Sequence, residues 1–518
     1  MTNPVKILWA DDEIDLLKPH VMFLEQKGYD VSTVCSGIEA IDEVEESFFD
    51  IVFLDENMPG LSGLETLQNI KTLDPTLPVV MITKSEEESI MEEAIGSKIA
   101  DYLIKPVNPN QILLSVKKNL DEKRLVSEKT TSEYQREFRE IGMKLMDSLD
   151  SHDWKELYKK LVYWNIELDT TEDLGMEEVF LAQKSEANQQ FARFIKDNYL
   201  EWLNGVEEAP VMSHTLMSKW VAPHLKESHE SVYLVVIDNL RYDQWKTIQP
   251  ALTELFRVEQ EKIFYSILPT ATQYARNAIF SGLMPSEMER RFPKYWKNEE
   301  DDGGKNMHEE VFLESNLKRM GFDISWSYNK ITNLNAGKRL QDNFHQLANN
   351  KLNVIVYNFV DMLSHARTEM EVIKELAADE GAYRSLTLSW FEHSPLMEMF
   401  KQMAQQKCKV VITTDHGTVR VDKPVKVVGD RNTNTNLRYK TGRNLDYNPK
   451  EVFEVRDPQD AFLPKQNMSS SFIFAVESDY LVYPNKYNHF VNYYKNTFQH
   501  GGVSMEEVLI PFVTLQPK

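Results

Sequence analysis

Short apolar segments that end directly in carboxylates constrain the fold of this chain more than any other feature. Val5–Ala10 runs into Asp11 and Asp12, and the residues VVITT run into Asp415 and His416. Helical patterns separate such segments, and strands that alternate with helices form parallel sheets. Because parallel strands open their carboxyl ends on one edge, ligands bind there. The sequence therefore predicts an α/β multidomain protein with polar sites at strand ends.

Composition narrows the class of protein. The 518 residues suit roughly three or four domains, and an apolar content of 42% is ample for packed cores. The net charge of −23 disfavours broad binding to duplex DNA. Two cysteines, Cys35 and Cys408, are too few for a disulfide framework. The amino terminus lacks a signal pattern and no apolar run is long enough to span a membrane, so we expect a soluble, cytoplasmic protein.

Four predicted strands in the first 122 residues deliver polar side chains to one edge of a sheet. Beyond the pair Asp11 and Asp12, the strands end at Asp55, at Thr83 and at Lys105. Helical patterns separate the strands, over residues 16–27, 37–46, 63–72, 87–95 and 108–121. Three carboxylates at one edge repel one another unless a divalent cation, typically Mg²⁺, neutralises them. A flavodoxin-like domain with acids placed by chance is the alternative.

Residues 3–122 resemble the receiver domain of two-component response regulators, and we assign residues 1–122 to it. The resemblance rests on an acidic pair, an aspartate followed by Met-Pro-Gly, a threonine and a Lys-Pro pair, in that order. It implies that Asp55 is the phosphoacceptor and that Thr83, Tyr102 and Lys105 form the switch. It also implies a Mg²⁺ site whose ligands are Asp11, Asp12, Asp55 and the backbone carbonyl of Asn57.

Residues 123–206 are predicted to form a helical bundle linker. The run LVSEKTTSEYQREFREIGMKLMDSL is charged and places apolar residues near one stripe. Two further helical segments follow, separated by an acidic break over 170–178. A DNA-binding helix-turn-helix is the alternative, but no compact turn joins two short helices and no helix has a clustered basic face. A module that connects two domains is the simpler interpretation.

Past Gly205 the strand pattern resumes and again delivers metal-ligating side chains. Carboxylates and imidazoles follow apolar strands or loops at Asp238, Asp361, His365, Asp415, His416 and His500. Aspartate and histidine suit Zn²⁺, and six such groups are enough for two ions. Thr272 lies at the start of a predicted helix, where a phosphate anion is favoured and a metal could ionise the hydroxyl. Thr270 is the rival nucleophile.

This set resembles the alkaline phosphatase superfamily over about residues 207–518, and PTATQYARNAIFSG resembles the subgroup called PglZ domains. The resemblance implies an α/β domain with a parallel-rich sheet and two zinc ions. One ion would be held by Asp238, Thr272, Asp415 and His416, and the other by Asp361, His365 and His500. Each residue also has a simpler interpretation, such as Asp238 capping a following helix.

A basic segment within 430–462 is unusual for so acidic a chain. Arg438, Tyr439, Lys440 and Arg443 combine cations with an aromatic ring, which suits contact with a substrate phosphate or base. An ordinary exposed loop explains the segment equally well. No arginine can be assigned to the terminal oxygens of a phosphomonoester, which favours a diester substrate.

The order of receiver, helical linker and PglZ-like domain resembles response regulators associated with the type IX secretion system. It implies a cognate sensor histidine kinase and a homodimer favoured by phosphorylation. The leading hypothesis is a phosphorylation-regulated, zinc-dependent phosphodiesterase acting on nucleotide-type diesters. The alternative is a signalling scaffold whose zinc domain docks to a sigma factor or a secretion-machine protein. A direct transcription factor is a third interpretation, disfavoured by the charge.

Overall fold

The computed structural model describes residues 5–75, 77–84, 99–169, 174–227, 230–299, 301, 303–369, 377, 379–430 and 433–518. The helix predicted over 87–95 lies outside these residues. The chain divides into a first compact unit that extends to Tyr134 and a second unit that contains Gln135–Thr170 and Leu174–Lys518. Within the described residues, no helix is long and apolar enough to cross a membrane.

The first unit is built on a five-stranded sheet in the order β2-β1-β3-β4-β5, with every pair parallel. Its strands are β1 (Lys6–Ala10), β2 (Asp30–Val34), β3 (Ile51–Asp55), β4 (Val79–Thr83) and β5 (Asp101–Ile104). Its helices include α1 (Lys18–Gln26), α2 (Gly37–Glu46) and α3 (Gly63–Leu73). The central strands β3 and β4 are buried along their whole length, as expected for strands covered on both faces. The predicted flavodoxin-like fold is confirmed.

The linker contains three long helices, α4 (Pro109–Met146), α5 (Ser151–Asp169) and α6 (Leu174–Leu203). The prediction that α4 ends near Asp121 is wrong. The residues KKNLDEKR at that point are good helix formers, and no proline follows the one at the helix start, so nothing stops the helix. Buried residues of α5, among them Trp154 and Leu157, recur at helical spacing on one face.

The second unit contains a six-stranded sheet in the order β7-β18-β10-β6-β9-β8. Its strands are β6 (Ser231–Ile237), β7 (Phe256–Tyr265), β8 (Trp326–Ile331), β9 (Leu352–Tyr357), β10 (Cys408–Thr413) and β18 (Leu509–Pro517). The strands β10, β6, β9 and β8 run parallel, whereas β18 runs antiparallel to both β10 and β7. The sheet is therefore parallel-rich, as predicted, with an antiparallel edge.

Helices surround this sheet: α7 (Ser213–Leu216), α8 (Ala222–Glu227), α9 (Tyr242–Thr253), α10 (Thr272–Ser281), α11 (Pro285–Arg291), α12 (Glu309–Arg319), α13 (Leu334–Asp342), α14 (Phe359–Glu369), α15 (Glu380–Glu392), α16 (Pro395–Ala404), α17 (Tyr487–Tyr494) and α18 (Met505–Val508). Smaller sheets are formed by β11 (Val419–Arg420), β12 (Lys423–Lys426), β13 (Tyr439–Arg443), β14 (Val452–Val455), β15 (Ser470–Ala475), β16 (Asp479–Val482) and β17 (Phe498–Gln499).

Two local expectations are corrected. The strand predicted to end at Asp361 stops at Tyr357, and Asp361 lies in the first turn of α14. Asp238 does not cap a helix that starts at Leu240, because α9 begins at Tyr242. Asn239 instead takes a left-handed backbone conformation with φ of 66° and redirects the chain just after β6.

Candidate metal centres

An acidic cluster lies at the carboxyl edge of the receiver sheet. Asp11, Asp12 and Asp55 each offer an oxygen, and these oxygens lie within 4.8 Å of one another. Lys105 reaches into the cluster, with its Nζ 2.8 Å from Asp11 and 2.7 Å from Asp55. Burial and the neighbouring aspartates raise the pKa of Asp55 against the opposing pull of Lys105. Burial disfavours the charge of Lys105, but Asp11 and Asp55 outweigh it and raise its pKa.

The remaining predicted receiver residues surround this cluster. Thr83 is buried at the end of β4, and its hydroxyl donates to the carboxylate of Glu56. Tyr102 is half-buried, and burial raises its pKa. Asn57 is exposed two residues after Asp55, at the mouth of the site. The cluster is open to solvent on the side of Asp12, which is exposed.

A second cluster lies at the carboxyl edge of the six-stranded sheet. Asp238 follows β6, and Asp415 and His416 follow the adjacent parallel strand β10. One ligand atom from each of the three lies within 4.8 Å of the others, and all three side chains are buried. Thr272 is the first residue of α10, and its Oγ1 lies 3.1 Å from Nε2 of His416 and 3.4 Å from Oδ1 of Asp238.

A third cluster adjoins the second. Asp361, His365 and His500 also offer ligand atoms within 4.8 Å of one another. Asp361 and His365 are one turn apart on α14, and His500 follows the short strand β17 outside the main sheet. The rings of His416 and His500 stack with their centroids 4.3 Å apart, which joins the two clusters into one site.

Backbone carbonyls fix the tautomers of two histidines. Nδ1 of His416 lies 3.2 Å from the carbonyl oxygen of Gly417, and Nδ1 of His500 lies 3.2 Å from that of Thr270. A carbonyl only accepts, so each Nδ1 carries a proton, and in the neutral form of such a ring Nε2 has the free lone pair. Burial lowers the pKa of His500 to about 3, so this imidazole is neutral at neutral pH. Neutral imidazoles with oriented Nε2 atoms are suited to bind metal.

The structure distinguishes the two candidate nucleophiles. The Thr270 hydroxyl is fully buried, donates to the carbonyl of Gly502 and accepts from the amide of Gly501. Thr270 thus holds the loop that carries His500. Thr272 is only half-buried and stands at a helix start where no side chain caps the first turn. Uncapped helix N-termini favour anions, which places Thr272 where a phosphate would bind.

Arg276 is a site residue that the sequence analysis missed. Its guanidinium is fully buried, with Nη1 2.6 Å from Asp238 and 3.9 Å from Asp415. Its Nε donates to Glu309, 2.5 Å away, and Glu309 also pairs with Lys330 at 2.8 Å. Burial raises the pKa of Asp238 to about 6, although Arg276 opposes that shift. Glu309 lies in an insert between strands, so only the fold could associate it with Arg276.

Asn239 is a second residue whose role was missed. Its backbone amide lies 3.4 Å from Oδ1 of Asp415, and its side-chain Nδ2 lies 3.4 Å from Oδ1 of Asp361. The residue is fully buried and in the left-handed conformation. Asn239 therefore bridges the two ligand clusters. The strand-end aspartate beside it was the only signal in the sequence.

The donor set fits a pair of borderline metal ions. Oδ2 of Asp415 is fully buried and has no hydrogen-bond partner among the described residues. An unsatisfied buried carboxylate oxygen is costly unless a cation compensates it. Aspartate oxygens and imidazole nitrogens together suit Zn²⁺. In the receiver, three aspartates and no imidazole suit Mg²⁺ instead.

The predicted substrate contact by the basic segment is not supported for three of its four residues. Arg438 is fully buried, its Nε donates to Glu507 at 3.1 Å, and it also bonds backbone carbonyls. Tyr439 donates to Glu299 at 2.6 Å, and Lys440 is buried over the ring of Tyr483. Arg443 alone of the four is exposed.

Cationic runs are usually exposed, whereas three of these four side chains, at the start of β13 and just before it, are buried. Because Glu507 also accepts from the amide of Gly502, Arg438 anchors the loop that carries His500. Burial lowers the pKa of Lys440 to about 7, and no carboxylate opposes the shift.

Family models match three parts of the chain. Residues 7–117 match the response regulator receiver domain, and residues 124–203 match the PorX response regulator linker domain. Residues 216–515, more than half of the chain, match the BREX system PglZ alkaline phosphatase-like domain. The three matches follow one another without overlap.

The curated relatives described here match about a quarter of the chain. The chain is 33% identical over 138 residues to the transcriptional regulatory protein ZraR of Klebsiella oxytoca, covering 27% of this chain and 31% of that protein. It is 34% identical over 116 residues to ResD of Bacillus subtilis, covering 22% of this chain and 48% of that protein. The chain thus spans a third to a half of the length of these relatives.

A solved CheY-like receiver domain from Methanospirillum hungatei is 28% identical and covers 23% of this chain and 95% of that one, with a TM-score of 0.23. The family models, rather than this score, carry the assignment.

Proposed function

Because the chain belongs to the PglZ alkaline phosphatase-like family, we propose that its output domain is a two-zinc phosphodiesterase controlled by the receiver. The observation that carries the proposal is the placement of Thr272, at an uncapped helix start and 3.1 Å from His416, beside two adjoining clusters of aspartate and histidine. The substrates are diesters of the nucleotide type.

Zinc ions in the two clusters would supply a Lewis acid that ionises the nucleophile and neutralises the phosphoryl oxygens. Asp238, Asp415 and His416 with Thr272 would hold one ion, and Asp361, His365 and His500 the other. The Thr272 oxygen then attacks phosphorus as one alcohol leaves, and water releases the second product and restores the hydroxyl. The first-turn amides of α10 orient the phosphate.

A diester fits this site better than a monoester. A monoester carries an additional negative charge, which related sites neutralise with a free cation. Arg276 is the arginine nearest to Thr272 on α10, but Asp238 and Glu309 occupy its guanidinium. Arg438 is committed to Glu507. Neither cation is free for a terminal phosphate oxygen.

The receiver supplies the regulation. We infer that a sensor histidine kinase phosphorylates Asp55, with Mg²⁺ held by Asp11, Asp12, Asp55 and the carbonyl of Asn57. Lys105 already contacts Asp55, and Thr83 and Tyr102 would rearrange around the phosphoryl group. Phosphorylation would favour a homodimer. A role in type IX secretion, with a sigma factor or secretion-machine protein as partner, follows from the resemblance of the domain order.

The test is hydrolysis of bis(p-nitrophenyl) phosphate by the full chain loaded with zinc. Thr272→Ala should lower turnover by at least about 10³-fold because the nucleophile is lost. Thr270→Ala is the matched comparison. It also removes a threonine hydroxyl, two residues before Thr272, but one that has a structural role. Undiminished turnover in Thr272→Ala would exclude it as the nucleophile.

Metal content, measured together with turnover, distinguishes an enzyme from a docking scaffold. Mass spectrometry of the native protein should find two zinc ions per chain, and a chelator should abolish turnover. A protein that binds two zinc ions and hydrolyses no phosphomonoester or phosphodiester would favour the scaffold. For the receiver, acetyl phosphate should label wild-type protein but not Asp55→Asn.

A further inference from the structure

Seven charged side chains form a largely buried cluster where the linker helices meet the PglZ-like domain, all within the second unit. They come from α5, α6, the start of α9, α15 and α18, and they are Asp169, Lys184, Arg241, Asp243, Glu380, Arg384 and Glu506. Three cations face four carboxylates. Charges removed from water must be paired with good geometry, so such a cluster fixes the relative positions of its elements.

Two residues of helix α6 contact the segment before β18. Nζ of Lys184 lies 2.9 Å from Glu380 and 3.0 Å from Glu506. One turn later, Asn188 donates to the carboxylate of Glu506 at 2.9 Å and accepts from the amide of Met505 at 2.8 Å. The linker helix thus holds both the side chain and the backbone of this segment.

The cluster continues through Arg241. Its Nε donates to Asp243 at 2.8 Å, and its Nη1 lies 3.5 Å from Glu380. Arg384 also pairs with Asp243 at 2.8 Å and reaches Asp169 at the end of α5. Burial opposes the charge of Glu380, but the neighbouring cations lower its pKa to about 2. Helices α5 and α6 of the linker are therefore part of one ionic cluster with the PglZ-like domain.

The segment that follows the candidate metal ligand His416 contacts this cluster. Gly417 directly follows His416, and a Cβ at this position would lie 2.1 Å from the carbonyl oxygen of Glu506. No side chain fits there, so the chain just after His416 is pressed against Glu506. The same Cβ would lie 3.3 Å from Cγ of Arg241.

The segment that leads to His500 contacts the cluster as well. The guanidinium of Arg241 lies 5.5 Å from the ring of Phe498, two residues before His500. Phe498 stacks on Tyr383 of α15 with ring centroids 4.2 Å apart. Arg241 itself lies three residues after Asp238. Three ligand-bearing segments therefore meet one buried cluster.

We propose that Lys184 and Asn188 of the linker are positioning residues for the zinc site. Both act through Glu506 on the segment of His416, and Lys184 also acts through Glu380 and Arg241 on the segment of His500. The inference rests on the proposed two-zinc function. The linker is then a structural part of the hydrolase-like domain rather than a tether. A displacement of α6 would then move the ligands of both ions.

The test compares Lys184→Met, Asn188→Ala and Lys184→Arg in the full-length protein. Zinc affinity is measured by competition with a chromogenic chelator, and turnover with bis(p-nitrophenyl) phosphate. Each of the first two variants should weaken zinc binding about tenfold and lower kcat with little change in KM, as loss of groups behind metal ligands does. Lys184→Arg keeps the charge and should restore zinc affinity to within about threefold.

Arg193→Met is the matched control, because it removes a positive charge from an exposed position of the same helix. It should leave zinc affinity unchanged. Wild-type zinc affinity in folded Lys184→Met and Asn188→Ala would overturn the inference. If Lys184→Met does not fold, Asn188→Ala decides, since it removes only two hydrogen bonds.

The proposed activity and the positioning role can fail separately. A wild-type protein that binds two zinc ions without hydrolysing a phosphoester refutes the activity, while the zinc affinities of the variants still decide the positioning role. A wild-type protein that binds no zinc overturns both.

Discussion

The receiver site and the hydrolase-like site place a basic side chain among aspartates at a sheet edge, but they hold it differently. Lys105 contacts Asp11 and Asp55 in a site that is open beside exposed Asp12. Arg276 is fully buried and is clamped between Asp238 and Glu309. A flexible ammonium in an open site can exchange partners when a phosphoryl group arrives. A buried, doubly anchored guanidinium is a permanent part of the charge balance.

The largest expected effect is a difference in the stability lost when each of these two cations is removed. Arg276→Met should lower the free energy of unfolding of the second unit by about 3 kcal/mol or more, because it leaves buried carboxylates uncompensated. Lys105→Met should lower that of the receiver by less than about 1 kcal/mol in excess Mg²⁺, since the ion replaces the lost charge. Urea unfolding followed by circular dichroism measures both. Equal losses at the two sites would contradict the distinction.

Acid titration compares how the buried charges of the second unit and those of the receiver contribute to stability. The folded-state pKa of Glu380 is about 2, below its ordinary value of 4.5, so its stabilising contribution is complete above pH 4.5 and is lost as the pH falls toward 2. The pKa of Asp55 is raised instead. Protonation of Asp55 in acid therefore removes an unfavourable buried charge from the receiver site and does not destabilise it.

Glu380→Gln should therefore flatten the pH dependence of unfolding of the second unit between pH 4.5 and 2, an effect on the order of 2 kcal/mol. Wild-type and variant curves that stay parallel across this window would show that Glu380 does not couple to protons as described. Asp379→Asn is the neighbouring control, because Asp379 caps the same helix from an exposed position.

A smaller effect concerns magnesium. Lys105 occupies the oxygens of Asp11 and Asp55 that the ion would use, so Lys105→Met should raise the Mg²⁺ affinity of the receiver about tenfold, or ~1.4 kcal/mol. Titration calorimetry measures the change. Lys84→Met serves as the control, since Lys84 pairs with Glu13 at 3.3 Å and both side chains are exposed. A weaker affinity in Lys105→Met would mean that the lysine organises the site.

The smallest effect concerns Lys440, which unlike Lys105 has no carboxylate partner among the described residues. Its pKa of about 7 lies below the ordinary 10.5, so the folded protein carries the full burial penalty below pH 7 and is relieved as the pH rises toward 10.5. Lys440→Met should raise the unfolding free energy by about 1 kcal/mol at pH 6.5, with a gain that shrinks by pH 10. Lys450→Met, at an exposed position, should show no such gain.

The sequence was sufficient for the parts of the fold that depend on local pattern. Strands such as β6 and β10 are continuous apolar runs, and the residues at their carboxyl ends had to share an edge once the sheet was parallel. That reasoning brought Asp238, Asp415 and His416 together. It misjudged Asp361, because β9 passes into α14 with no glycine or proline to mark the change.

Long-range ionic partners could not be foreseen. Glu309 and Arg276 are 33 residues apart, and Glu507 and Arg438 are 69 apart. Nothing in a local pattern distinguishes a cation that faces solvent from one that faces a buried carboxylate supplied by a distant segment. For the same reason neither interpretation of the basic segment, substrate contact or exposed loop, anticipated the burial of Arg438 and Lys440. The length of α4 was missed because the helix was expected to end with the receiver domain, although the sequence contains no stop signal there.

The position of β18 has a consequence for the order of events during synthesis. This strand, Leu509–Pro517, lies between β10 and β7 and joins the edge strand β7 to the rest of the sheet. While the ribosome still holds these residues, β7 lacks its partner strand in the sheet and β10, which leads to Asp415, has one side unpaired. Nascent chains therefore cannot assemble the hydrolase-like site early. The receiver domain precedes all strands of this sheet in the chain, so it leaves the ribosome before β18 can complete the sheet.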